Sequence, residues 1–81
     1  IKADAEGNCA VADFIHVDAA RNIIYDARSK DRRTPIAVVG LRDSILVQTD
    51  DAVLLAHKSQ AHKVKELVKK LTEYVKLKKL V

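Results

Sequence analysis

Residues 36–58, IAVVGLRDSILVQTDDAVLLAHK, pass without a break into residues 59–71, SQAHKVKELVKKL. The first run is dense in β-branched and aliphatic residues and is interrupted by Gly40 and by the pair Asp50-Asp51. β-Branched side chains suit a pleated surface, while Gly, Asp and Ser in clusters mark corners. The run therefore reads as three short strands over residues 36–41, 45–49 and 52–57. They are apolar on more than one face, which predicts cover on both sides. From Ser59 the apolar period lengthens to three and four residues. Ala61, Val64, Leu67, Val68, Leu71, Tyr74, Val75 and the stem of Lys78 then share one helical stripe, and lysines largely fill the other faces. Ser59 is the expected N-cap, and Glu66 the expected partner of Lys70 one turn later. Residues 77–81 are expected to fray.

Upstream, residues 9–18 alternate in part, Val11, Ile15 and Val17 against Asp13, His16 and Asp18. This predicts a strand bent near Asp13. Residues 19–22 read as a turn in which Asn22 tolerates the left-handed region, and residues 22–26, NIIYD, as another strand. The run ARSKDRRTP, residues 27–35, is too polar to share a core and predicts an exposed, mobile loop. Residues 1–8 are small and acidic and read as a tether ending in a Gly7-Asn8 turn. The expectation is a mainly β domain with a C-terminal α-helix. A tether (1–8) leads into a short-stranded body (9–58), and an amphipathic helix (59–81) packs on that body, all in one domain.

Eighty-one residues sit near the lower limit for a self-sufficient core. Leu, Ile, Val and Phe number 25, too many for a disordered chain, and only Phe14, Tyr25 and Tyr74 are aromatic, so the packing is aliphatic. Small aliphatic β structures commonly need a covering helix or a partner subunit, and both are expected here. The single cysteine, Cys9, excludes an internal disulfide and fits a reducing, cytoplasmic setting. No run approaches the ~20 apolar residues of a membrane span. The chain contains no methionine and begins at Ile1, as expected of a piece of something longer. Residues 1–58 hold eight Lys and Arg against nine Asp and Glu, and residues 59–81 hold seven Lys against two Glu. The basic excess therefore belongs to one helix face and not to an evenly basic, nucleic-acid-binding body.

No constellation of reacting groups emerges, and no catalytic, cofactor-binding or metal-binding residue is assigned. Asp50 and Asp51 are acceptable cation ligands, but Asp caps corners through its own backbone and the turn accounts for both. His57 and His62 are five residues apart, His16 is distant, and no Cys/His spacing matches a zinc site. Cys9 among small residues reads as apolar filler and not as a nucleophile. Arg28, Lys30, Arg32 and Arg33 form a cluster able to meet a phosphate or an acidic partner, with Asp31 among them to favour a solvated loop. The helix lysines lack the aromatic or arginine platform that single-stranded nucleic acid asks for, and they read as a solvated face.

The pattern VVGLRDSILVQTDDAVLLAHK (38–58), followed by VKELVKKL (64–71), resembles bacterial mannose-1-phosphate guanylyltransferases just after their catalytic domain. The upstream GNCAVADFIHVDAARNIIY (7–25) is similar to the same family, so the likeness covers roughly residues 6–72. It implies a short left-handed parallel β-helix-like body closed by a helix, the left-handed crossover being an exception to the usual rule. It also implies a preceding nucleotidyltransferase domain with a Rossmann-like sheet that holds the Gly-rich loop and the Mg²⁺-binding aspartates. Gly7 and Gly40 are the only glycines here and cannot build such a loop. The loop at residues 27–35 is also longer than the resemblance leads one to expect.

The reading is a structural and oligomerisation domain of a nucleotidyltransferase. Its parent would convert GTP and mannose 1-phosphate to GDP-mannose and pyrophosphate, and this chain would perform no chemistry of its own. Its expected partners are its own catalytic domain or further copies met through aliphatic surface, with no nucleic acid and no membrane. The alternative is an independent module binding an anion or nucleic acid through the lysine-rich helix, or sensing a sugar nucleotide.

Overall fold

In the computed structural model, which describes residues 2–79 (Lys79 by its backbone), the strands wind into a small coil. The expected fraying of residues 77–81 lies in part outside those residues. In chain order come β1 (Cys9–Val11), β2 (Phe14–Val17), β3 (Ile23–Asp26) and a 3₁₀ turn (Lys30–Arg32). They are followed by β4 (Ile36–Val39), β5 (Ser44–Gln48), β6 (Val53–His57), a 3₁₀ segment (Lys58–Lys63) and α1 (Val64–Lys79). Sheet one has the order β1-β3-β5-β6 and sheet two the order β2-β4. Pairing is parallel throughout except for the antiparallel β5–β6 hairpin. The bend near Asp13 is thus a corner between two sheets, because β1 and β2 belong to different ones.

The register exposes the repeat. Cys9 pairs with Ile23, 14 residues on, and Ile23 with Ile45, 22 residues on. The second turn of the coil therefore carries eight extra residues, and they lie in the 27–35 loop, since β1 reaches β2 through Ala12 and Asp13 alone. The other corners repeat closely. Gly7, Arg21 and Asp43, at matching positions, all have left-handed φ (81°, 55° and 52°), as do Asp18 and Gly40 (53° and 71°). The expected left-handed residue Asn22 is instead its neighbour Arg21, and Asn22 turns inward.

Side chains of one parity face the interior, as the two-residue period of a strand requires. Ile24 is 1% exposed and Ala19 and Ile36 are also buried, a thin apolar core. Polar groups line it on two sides: Asn8, Asn22 and Ser44 along one corner, Asp26 and Arg28 along another. The expectation that these strands are covered on both faces fails within this chain. The outward side chains of sheet two, Ile15, Val17 and Val39, are 60%, 59% and 78% exposed, because no element among the described residues lies over them.

The helix begins later than its apolar period indicates. Residues 58–63 take the tighter 3₁₀ path, and Ser59 is no N-cap; its backbone N–H instead donates to Nδ1 of His57 at 3.1 Å. The pairing of Glu66 with Lys70 does not occur among the ion pairs of the described residues, which lie in the β body. The helix meets the outer face of the hairpin across a groove of about 470 Å³. Ile45, Val47 and Leu54 line one wall, and Val64, Val68 and Leu71 the other.

Candidate functional site

The most organised chemistry is a buried polar ladder. Asn22 donates its backbone N–H and its amide Nδ2 to Oδ1 of Asn8, both at 3.0 Å. Its own Oδ1 accepts the backbone N–H of Ser44 at 3.0 Å, and its Nδ2 reaches the carbonyl of Leu41 at 2.8 Å. Asn8 repeats the pattern one turn earlier, donating Nδ2 to the carbonyl of Ala19 at 2.9 Å. Above it, Oδ1 of Asp4 accepts the backbone N–H of Asn8 at 2.8 Å, standing where a further asparagine would. Residues 4–8, expected as a tether, are therefore built into the first corner. Every rung satisfies a buried backbone group, which is the condition for placing polar side chains in so small an interior.

Asp4 also approaches Nε2 of His16 at 3.1 Å, and the His16 ring stacks on Phe14 with centroids 4.6 Å apart. Asp4, Glu6 and His16 bring one potential ligand atom each within 4.8 Å of one another. The oxygens of Asp4 are already taken by the N–H groups of Asn8 and Glu6, with the Asn8 backbone bond first among the causes that hold its carboxyl below the usual range. This donor set terminates a ladder, and its geometry is explained without an ion.

The second polar feature is the base of the eight-residue insertion. Asp26 and Arg28 form a buried two-point pair, Nε to Oδ1 at 2.9 Å and Nη2 to Oδ2 at 2.7 Å. Arg28 also grips Thr34, through Nη1 to the hydroxyl at 2.9 Å and Nη2 to the carbonyl at 2.8 Å, so that it ties the two ends of the loop together. The side-chain hydrogen bond from Arg28 is the main reason the Asp26 carboxyl is held down to about 2. Asp50 accepts the backbone N–H of Ser29 at 2.9 Å and its hydroxyl at 2.5 Å, fastening the loop to the β5–β6 turn. The expectation of a mobile, wholly exposed loop is corrected accordingly: Arg28 is buried and the loop is pinned at three places. Lys30, Arg32 and Arg33 remain exposed.

The residues weighed from sequence fall as follows. Asp50 binds Ser29, and the β5–β6 corner itself is shaped by Thr49, whose hydroxyl accepts the N–H of Ala52 at 3.1 Å. His57 caps the 3₁₀ segment, His62 is exposed within it, and His16 lies apart on the inner face of sheet two. Cys9 is half-buried on β1. Sequence reasoning missed the ladder and the Asp26–Arg28 pair. The signal available was the recurrence of Gly7-Asn8, Arg21-Asn22 and Asp43-Ser44, each at the entry to a strand.

Comparison with known proteins places this geometry. A family model described as the MannoseP isomerase/GMP-like beta-helix domain matches residues 12–71. The xanthan biosynthesis protein XanB of Xanthomonas campestris pv. campestris is 37% identical over 68 residues, which are 84% of this chain and 13% of that protein. A putative mannose-1-phosphate guanylyltransferase of Vibrio cholerae is 38% identical over 68 residues, again 84% of this chain and 14% of the relative. The alginate biosynthesis protein AlgA of Pseudomonas aeruginosa is 35% identical over the same length. The chain thus spans about one-seventh of the length of these curated relatives. The crystal structure of mannose-1-phosphate geranyltransferase from Thermus thermophilus shares the fold, with a TM-score of 0.67 and 24% identity over 85% of this chain and 20% of that one. The family model alone spans well over half of the residues, with β2 to β6 and the first half of α1 inside the match, and the chain belongs to the MannoseP isomerase/GMP-like beta-helix domain family.

Proposed function

We propose that this chain is a structural and assembly domain of a mannose-1-phosphate guanylyltransferase-like nucleotidyltransferase and carries no reaction of its own. The parent would transfer GMP from GTP to mannose 1-phosphate, with Mg²⁺ held in a separate catalytic domain. The observation that carries the reading is the contrast between inside and outside. The buried polar side chains spend their hydrogen bonds on one another and on the backbone, as in the ladder and the Asp26–Arg28–Thr34 cluster. The outer face of sheet two meanwhile leaves Ile15, Val17 and Val39 in water. Contiguous exposed aliphatic surface on a small domain favours a protein partner. The family likeness makes a catalytic domain or a further copy the natural one.

The carboxylates best placed to invite Mg²⁺, Asp4 and Asp50, are held by N–H donors of their own chain, so no step through the metal is assigned to this domain. Two measurements test the reading. GTP-dependent release of pyrophosphate by the 81-residue chain alone would refute it. Sedimentation at several concentrations and salt levels should show association, with itself or with the catalytic domain, that resists salt. Binding that collapses steeply as salt rises would point instead to anion recognition by the lysines of α1.

A further inference from the structure

Sheet two stops short of sheet one. After β5 the chain does not turn the corner to lay a third strand beside β4; it reverses through residues 49–52 into β6. Sheet one therefore has four strands and sheet two has two. Among the described residues, the position beside β4, across from the inward face of the β5–β6 hairpin, is left without a strand.

The backbone of β4 is set up for one. Ile36 donates its N–H to the carbonyl of Asp13 at 2.7 Å, and Gly40 donates to Val17 at 3.0 Å. Bonds to a parallel neighbour alternate along a strand, so Ala37 and Val39 direct their N–H and C=O groups to the opposite, open edge. The side chains facing the same space agree. Ile24, Leu46 and Leu55 are register partners on the inward face of sheet one. Exposure climbs along that row from 1% at Ile24, through half-buried Leu46, to 56% at Leu55, and inward-facing Val53 is 59% exposed. These residues point into the coil and still meet water, because no strand among the described residues stands opposite.

We propose that the free edge of β4 takes up a single extended segment of another polypeptide, aliphatic at alternate positions, as the third strand of sheet two. Inward side chains of that segment would cover Leu46, Leu55 and Val53, and outward ones would extend the Ile15–Ala37 and Val17–Val39 rows. A segment with acidic residues in its flank is favoured, since Lys30, Arg32 and Arg33 lie exposed in the loop leading into β4. A second copy of this coil does not fit the slot by antiparallel pairing of β4 with β4. Such pairing puts the copy's four-stranded sheet on the same side, where β5 and β6 already stand. A lone strand meets no such obstacle, and main-chain bonds with alternate side-chain contacts are how strand addition gains affinity and specificity.

The test uses the full 81-residue chain, ¹⁵N-labelled, and an acetylated heptapeptide of two aspartates followed by alternating valine and threonine. At millimolar peptide the amides of Ala37 and Val39 should exchange with solvent about tenfold more slowly or better, while Ile36 and Gly40 stay unchanged. Ala37→Pro removes a donor facing the slot and none facing β2, so it should retain the far-UV spectrum and lose the protection. Should that variant unfold, Leu55→Glu charges the floor of the slot at an already exposed position and should weaken binding likewise. Unchanged exchange at Ala37 and Val39 would overturn the proposal, as would slowing confined to β1. Sedimentation that traced the protection to a dimer of this chain would overturn it too.

Discussion

Asn22→Ala removes the middle rung of the ladder, and its cost can be worked bond by bond. Three hydrogen bonds vanish: amide Nδ2 to Asn8 Oδ1, Nδ2 to the Leu41 carbonyl, and the Ser44 N–H to Oδ1. Their partners do not suffer equally. Oδ1 of Asn8 keeps the backbone N–H of Asn22, and the Leu41 carbonyl keeps the N–H of Ala20 at 3.0 Å. Only the Ser44 N–H, on a residue 5% exposed, is left with nothing. One orphaned buried donor costs about 1–3 kcal/mol and the two other lost bonds about 0.5–1.5 each, so the expected loss is ~2–6 kcal/mol. A domain of this length is stable by only ~4–12 kcal/mol, so the substitution removes a large share of the total. Urea unfolding followed by far-UV circular dichroism should show the midpoint falling by ~1–3 M at the slope of a small protein.

Two companion variants make the reasoning refutable. Ser44→Ala leaves the Ser44 N–H bonded to Asn22 and removes only a hydroxyl that donates to the Arg42 carbonyl, so it should cost about 1 kcal/mol or less. Asn22→Asp keeps the acceptor for Ser44 but puts a carboxylate against two oxygens, Asn8 Oδ1 and the Leu41 carbonyl. That environment raises the folded-state pKa of the new carboxyl above its unfolded value. The variant should therefore be least damaged at low pH and lose stability as pH rises through the folded-state pKa. Were Asn22→Ala to unfold within about 0.5 kcal/mol of the parent, or Ser44→Ala to cost as much as it, the ladder would not be a principal support.

Other expectations follow from the same geometry. Asp26 has its pKa lowered to about 2 by Arg28, so the stability it lends is present above the unfolded carboxylate range and is lost as pH falls from about 4 toward 2. Acid titration of the parent should show that loss, and Asp26→Asn should show a smaller one, because Asp4 and Asp50 remain held down by their own hydrogen bonds. Arg28→Met removes the clamp on Thr34 and should speed limited proteolysis within residues 27–35 well before global unfolding. Gly40→Ala should cost about 1 kcal/mol in urea unfolding, purely from its φ of 71°, since no atom stands within 4 Å of the added methyl. Leu71→Ala should cost only ~1–2 kcal/mol, below the range for a fully buried leucine, because the groove beside α1 already admits water.

The strands and helix were legible because their signals are local. Alternation in IIYD and FIHV, the Asp50-Asp51 corner and the three-four spacing after Ser59 each report on a few neighbouring residues. What stayed hidden depended on residues distant in sequence. Asn22 beside Arg21 looks like any turn asparagine until Asn8 and Ser44 are brought above and below it, and the unequal spacings of 14 and 22 residues conceal the repeat. Arg28 sits among exposed cations, and only its two-point bond to Asp26 distinguishes it from Arg32. The late start of α1 was equally out of reach, because residues 58–63 carry an α-helical apolar period while following a 3₁₀ path.

Register is what the ladder adds that apolar burial cannot. Slipping a strand by one residue turns its inward face outward, and the hydrophobic pattern forbids it. Slipping by two keeps the faces, and in strands of three to five residues it sacrifices little contact, so Ile24 against Leu46 does not by itself select one alignment. Asn22 does, because its amide finds Asn8 Oδ1 and the Leu41 carbonyl, and its Oδ1 finds the Ser44 N–H, in one alignment only. The tight corners therefore hold the coil in step. The corner between β3 and β4, which carries no rung, is free to accept eight extra residues without disturbing the pairing on either side.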